Sequence, residues 1–323
     1  MFRGLLFFLL LYHSGWSAGT QVKDHVLEGN ALYEKDDYPG AAEQYRQAIE
    51  KNKNLPFAWF NLGNCHAQGK KYHEAIVAYR RSIEEAPQFS RPWLLLGDIY
   101  YSLDAVGQAV VCFRRVVELE EDNVYAWKWL GESYLRAGDA TEAMRCFDAA
   151  LKLDPDQIDV YFALAETHAG IRDYESAQDI LKEAILLSPH AKEDVYFYLG
   201  YIYELAGDRT RSVRAYEEGL VVNPGRKDMY MRIARIQQEA GSDFLALLTL
   251  EIAVESGIKD AAVHLERGLI FFKQERLERA LEEFNLAWQL GSPRGRHGME
   301  NISAAYWNRG EKDKANEVLE QMR

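Results

Sequence analysis

The chain has 323 residues, with 38 Lys+Arg against 50 Asp+Glu, a formal net charge of −12. That balance argues against nucleic acid or an anionic membrane face as a partner. With 48% hydrophobic and 12% aromatic residues and no low-complexity tract, the chain can bury a core along its whole length, which excludes a disordered polymer.

The first nineteen residues stand apart. Arg3 gives a positive start, residues 5–11 form an unbroken apolar run, and residues 14–19 are small and polar apart from Trp16. This is the layout of a secretory signal, its apolar centre shorter than the roughly 20 residues of a spanning helix. Export to a periplasm, envelope or secretory pathway is the expectation, with an uncleaved short anchor at a membrane as the alternative. Three cysteines follow, an odd number for an exported chain. Cys112 and Cys146 hold equivalent places 34 residues apart, and stacked helices would set them roughly 8–10 Å apart, beyond disulfide reach of about 7 Å. All three read as packed thiols.

From residue 22 onward the chain repeats. Trp59, Trp93 and Trp127 recur at a step of 34, and so do Leu62/Leu96/Leu130, Gly63/Gly97/Gly131, Ala75/Ala109/Ala143 and Tyr79/Phe113/Phe147. Periods of this length mean stacked supersecondary units. Extending the register gives nine units: 22–55, 56–89, 90–123, 124–157, 158–191, 193–226, 227–260, 261–294 and 296–323. Two steps are 35 rather than 34, and the extra residues, Lys192 and Gly295, are expected in loops.

Within a unit, apolar residues at positions 4, 7, 8 and 11, then 20, 24 and 27, have the spacing of one helix face. Gly69, Gly138, Gly170, Gly207, Gly241 and Gly310 lie between the two sets and are expected to end first helices. Pro87, Pro155, Pro189 and Pro224 close second helices. Each unit is therefore two antiparallel helices, and the fold class is all-α. Glycine at position 8 costs about 1 kcal/mol relative to alanine in a helix, so close packing must compensate.

The pattern resembles the tetratricopeptide repeat, Trp-x2-Leu-Gly-x2-Tyr followed by Ala-x3-Phe, Ala and Pro. The fourth unit carries it at Trp127, Leu130, Gly131, Tyr134, Ala143, Phe147, Ala150 and Pro155. The resemblance covers nearly everything after Gly19. It implies an αα-superhelix approaching one turn, with first helices lining a groove that binds segments of other proteins. It names no partner. The family's carboxylate clamp is poorly matched: Asn30, Asn61 and Arg91 fit, but Val26 and Leu95 stand where two cations are needed.

A search for chemistry finds little. Cys65-His66 with His73 is a local Cys/His cluster, but His66 falls in the core slot at position 11, as His168 does. Motifs for metal, phosphate or nucleophile are absent, so no catalytic, metal or cofactor site is expected and the protein reads as non-enzymatic. Asn301-Ile-Ser303 fits a glycosylation acceptor. On the first helices, positions 2, 5, 9 and 12 lie away from the core face. They give candidate partner-binding residues Phe60, Leu94, Asp98, Tyr101, Tyr125, Glu132, Phe162, Glu166, Phe197, Tyr201 and Met231. Read together with Asp159, Asp194 and Asp228, these form an apolar stripe edged by carboxylates, suited to a partner segment with apolar anchors and basic flanks. The alternative is that the position-5 residues pack within the array. At the other end, Val318, Leu319 and Met322 are expected to face no following helix, which would favour homo-oligomer contacts, and residues 291–298 are expected to form a basic, flexible loop.

Overall fold

The computed structural model describes residues 20–188 and 191–322. The signal-like segment and Pro189 lie outside the described residues. Eighteen helices and no strand occur among them. The first eight are α1 (Thr20–Glu34), α2 (Tyr38–Lys51), α3 (Pro56–Gln68), α4 (Tyr72–Glu85), α5 (Ser90–Ser102), α6 (Val106–Leu119), α7 (Val124–Arg136) and α8 (Ala140–Leu153). The remainder are α9 (Ile158–Gly170), α10 (Tyr174–Leu187), α11 (Lys192–Leu205), α12 (Arg209–Val222), α13 (Lys227–Glu239), α14 (Asp243–Glu255), α15 (Ala261–Lys273), α16 (Leu277–Gln289), α17 (Pro293–Asn308) and α18 (Lys312–Gln321). From α1 to α8, and again from α11 to α18, each odd-numbered helix packs on the even-numbered one that follows. The chain divides after Ala163, inside α9, into two compact units, each with its own core.

The turn inside each pair passes through one left-handed residue. Gly138, Gly207, Gly241 and Gly310 sit there with φ of 79 to 83°. In register with them, Asp36, Lys70, Asp104, Arg172 and Glu275 adopt φ of 56 to 64°, a conformation that costs a residue with a Cβ roughly 1–2 kcal/mol. Gly69 and Gly170 also stand at the ends of first helices, as expected, but the left-handed residue of their turns is a later one. Gly69 has φ −77° and precedes Lys70, and Gly170 ends α9 ahead of Arg172. The residue after the left-handed one often caps the second helix: Asp37, Asp139, Asp173 and Asp208 accept the N–H of Gly40, Glu142, Ser176 and Arg211.

Packing within a pair follows a size rule. A Cβ on Gly29, Gly63, Gly97, Gly131, Gly200 or Gly268 would come within 2.4–2.8 Å of the ring of Tyr45, Tyr79, Phe113, Phe147, Tyr216 or Phe284 respectively. The aromatic from the second helix thus lies on the bare face of the first. Where position 8 is Ala165 or Ala234, the register partner is the smaller Leu181 or Leu250. The added methyl is matched by a lost ring. Position 20 is equally strict: Ala41, Ala75, Ala109, Ala143, Ala177, Ser212, Ala246, Ala280 and Ala315 are all 0% exposed.

The tryptophans at position 4 have a further task. Their rings are only half-buried, and Trp59, Trp93 and Trp127 donate their indole N–H to the carbonyls of Lys53, Pro87 and Glu121 at 3.0, 3.2 and 2.8 Å. Each clamps the turn that brings the chain in from the preceding pair.

Several expectations are corrected. Lys192 opens α11 and Gly295 lies inside α17, so both extra residues lengthen helices rather than loops. The stretch 291–298 is no loop beyond its first residues: Gly295 meets the backbone of Trp288 and Phe284, and Gly298 meets the Phe284 ring. Val318 and Met322 are 2% and 8% exposed, packed with Met299, Ile302 and Tyr306, which leaves Leu319 as the exposed apolar residue of the three. The apolar end-face expected for self-association is therefore mostly covered. In the Asn301 motif, Ile302 and Ser303 are buried mid-helix and Ser303 Oγ donates to the Ala315 carbonyl at 3.0 Å. Cys65, Cys112 and Cys146 are buried free thiols, and burial pushes each up to about 12. No described helix is long and apolar enough to cross a membrane.

Candidate interaction surface on the first helices

The candidate residues do not make one continuous stripe. They fall into three environments.

Phe60 and Leu94 belong to packing. Phe60 stacks edge-on against Phe89 at 5.1 Å and lies 6.0 Å from Tyr79, tying α3 to the entry of α5. Leu94 is partly buried against the core of the first unit. The alternative reading of position 5, contact within the array, holds for these two.

Asp98, Tyr101, Tyr125 and Glu132 come together on α5 and α7, around a residue not among the candidates, Trp129. The Trp129 ring lies 4.8 Å from Tyr101, edge-on, and 5.9 Å from Tyr125. The Tyr125 hydroxyl donates to Asp98 Oδ1 at 3.1 Å, and that of Tyr101 reaches Glu132 Oε2 at a long 3.5 Å. Both carboxylates are half-buried, and among the described residues neither has a cation within ion-pair distance. Burial raises Asp98 from 3.8 to about 6 against the opposing Tyr125 hydrogen bond. Burial also raises Glu132, opposed by the nearby charge of Lys128, the Tyr101 hydroxyl and Arg136. The nearby cations are engaged elsewhere. Lys128 pairs with Asp159, and Arg136 lies 3.8 Å over the Tyr101 ring and donates to the Tyr101 carbonyl. The result is two under-compensated carboxylates walled by three aromatic rings.

In the second unit the charges are already answered. Phe197 is flanked by the guanidinium groups of Arg226 and Arg232 at 5.1 and 5.3 Å, and Arg232 also lies 5.1 Å from the Tyr201 ring. Arg226 holds Glu193 and Asp194 at 2.7 Å and Asp228 at 3.1 Å. Glu204 receives Arg232 at 3.0 Å, Arg235 at 2.7 Å and the Tyr216 hydroxyl at 2.5 Å. The expected acidic edge here is an internal ion-pair network, because resident arginines supply the cations that a partner was expected to bring. Met231 lines a depression of about 450 Å³ with Lys227, Arg232, Arg235 and Glu266. Phe162 is half-buried on α9, and Glu166 is exposed on the same helix. Tyr198 is raised by burial and by the charges of Glu166 and Asp194.

Trp129, Arg136, Arg226 and Glu204 escaped the sequence reading. Tyr125, Trp129, Glu132 and Arg136 recur at helical spacing on α7, and that run was the available signal. Arg226 carried none, since a side chain that reaches 32 or 33 residues back is invisible without the fold.

Comparison with known proteins agrees with this architecture. One tetratricopeptide repeat model matches residues 26–88 and 245–295, a second matches 126–167, and a third matches 90–123 and 158–190. The chain belongs to the tetratricopeptide repeat proteins, an all-α array of antiparallel helix pairs. It is similar to the solved structure of YrrB, described as a TPR protein with an unusual peptide-binding site, at 16% identity over 59% of this chain and 98% of that one, TM-score 0.51. It is also similar to a tetratricopeptide repeat protein from Parabacteroides merdae, at 16% identity over 94% of this chain and 100% of that one, TM-score 0.47. At these identities the likeness concerns the fold. No curated protein matches the sequence.

Proposed function

We propose that this protein is a non-enzymatic interaction scaffold that holds a segment of a partner protein on its first-helix face, with the α5/α7 nest receiving a basic side chain of that segment. The observation that carries the reading is Asp98, a half-buried carboxyl with one neutral hydrogen-bond donor, set among Tyr101, Tyr125 and Trp129. A lysine or arginine entering there would meet two carboxylates and the faces of aromatic rings, both favourable for a cation. The apolar anchors of such a segment would lie along the neighbouring first helices. The signal-like residues 1–19 support placing the scaffold in an envelope or secretory pathway, or holding it there as a membrane-anchored assembly factor if they are retained.

Selection of displayed random peptides on the folded chain tests this. The expected winners carry Lys or Arg beside apolar residues and disappear when selection is repeated on Asp98→Asn/Glu132→Gln. Winners without a basic residue, or an unchanged set on the double variant, would contradict the proposal.

A further inference from the structure

Two clefts beside the second helices share six lining residues in register but differ in how an Arg–Tyr pair is satisfied. The first, between α4, α5 and α6, is lined by Arg80, Glu84, Trp93, Leu96, Tyr100 and Cys112, with Ile83, Gly107 and Val111 completing an apolar wall around about 440 Å³. One repeat later, Arg114, Glu118, Trp127, Leu130, Tyr134 and Cys146 line the second. In that second cleft Arg114 donates to the Tyr134 hydroxyl at 2.6 Å, and its guanidinium lies over the ring at 5.8 Å. The pair satisfies itself.

In the first cleft the same two residue types do not meet. Tyr100 is 8% exposed, and its hydroxyl is buried without a hydrogen-bond partner. A buried hydroxyl left in that state is unfavourable, and native structures rarely tolerate one without a reason. Arg80, at the exposed rim of the cleft, has no ion-pair or hydrogen-bond partner among the described residues. The other charges around it do: Glu84 is held by Arg81 at 2.7 Å, and Arg115 by Glu118 at 2.8 Å. Across an acidic protein this cleft therefore offers one uncompensated guanidinium, one orphaned donor and an apolar pocket beside them. A satisfied donor pair would need none of this. A ligand with an apolar body and an anionic acceptor at its edge would supply what both groups lack.

We propose that the α4/α5/α6 cleft is a second binding site, which takes an acidic–apolar element of a partner protein. A leucine-sized side chain would enter between Trp93, Leu96 and Val111. An adjacent Asp or Glu carboxylate would accept from Arg80, and from the Tyr100 hydroxyl once the atoms that cover it shift aside. The site shares α5 with the basic-residue nest but uses Trp93, Leu96 and Tyr100 rather than Asp98 and Tyr101, so it could hold a different segment at the same time.

The probes are acetyl-Leu-Glu-amide and its neutral counterpart acetyl-Leu-Gln-amide, followed through the NMR signals of the Trp93 indole and the Tyr100 ring. The glutamate peptide is expected to shift both saturably, with an affinity about tenfold above that of the glutamine peptide. Arg80→Gln should remove that preference. Gly107→Phe should block the cleft while the chain stays folded, because a Cβ at Gly107 meets nothing within 4 Å. Thermal melts of the free protein provide a second arm. Tyr100→Phe should leave Tm unchanged or raise it, whereas Tyr134→Phe should lower it. Equal response to the two peptides, or no response at Trp93, would overturn the proposal. So would a Tyr100→Phe melt depressed as far as that of Tyr134→Phe, since the hydroxyl would then already have an internal partner.

Discussion

On α5 and α7 two carboxylates stand among aromatic rings with only tyrosine hydroxyls to meet them; on α11 and α13 Glu193, Asp194, Glu204 and Asp228 each have an arginine. Asp98 and Glu132 illustrate the first case, Glu204 and the Arg226 cluster the second. Both regions hold aromatic and acidic residues on their first helices, so composition does not separate them. Pairing does. A charge that the fold has already compensated adds rigidity, while one left half-buried with a neutral partner is available to a ligand.

The largest effect should come from breaking the paired region. Glu204→Ala leaves Arg232, Arg235 and the Tyr216 hydroxyl without their shared acceptor, which is expected to cost about 3 kcal/mol in chemical denaturation. Glu132→Gln in the other region should change stability by about 0.5 kcal/mol or less. Similar losses for the two would remove the distinction between them.

A second difference concerns packing. The first unit uses glycine against an aromatic ring throughout, and the second unit twice uses alanine against leucine. Gly97→Ala, whose Cβ would lie 2.8 Å from the Phe113 ring, is expected to destabilise by about 1–2 kcal/mol despite the helix propensity of alanine. Adding Phe113→Leu should recover part of that loss, reproducing the Ala165/Leu181 and Ala234/Leu250 combination. A double-mutant cycle showing additive effects would refute the size rule.

A smaller effect again is expected at Asp98 in the nest. Asp98 binds its proton more tightly in the folded protein, so its contribution to stability is most favourable below about 4 and declines as pH rises toward about 6. Asp98→Asn should therefore stabilise the fold at pH 7, by on the order of 1 kcal/mol after allowing for solvent screening, with the gain vanishing below about pH 4. A gain that persisted in acid would place the cause elsewhere.

Much of this was readable in the chain, for a physical reason. The ladder from Trp59 to Pro155 encodes packing that repeats in every pair, and short-range periodicity reports it directly. The left-handed turn was harder to read, because Lys70 and Arg172 occupy it while glycines stand nearby at Gly69 and Gly170. The carboxylates of the site were visible as residue types. Their status was not, since it depends on which cation reaches them: Arg226 folds back onto Glu193 and Asp194 from more than thirty residues away, and none reaches Asp98. The loop expected around Gly295 failed for a similar reason. Its glycines are there to let α17 approach Trp288 and Phe284, and glycine alone does not distinguish close approach from a turn.

The most direct test is the affinity of a selected basic–apolar peptide for the wild-type chain and for Asp98→Asn/Glu132→Gln, measured by calorimetry from pH 5 to pH 8. Protonating Asp98 removes the negative charge that a bound cation needs. Wild-type affinity should therefore hold above about pH 6 and fall as the solution is acidified below it, while the double variant binds weakly and without that dependence. Wild-type affinity that is flat across the range, or a double variant that binds as tightly as the parent, would show that the nest on α5 and α7 is not where the partner is held.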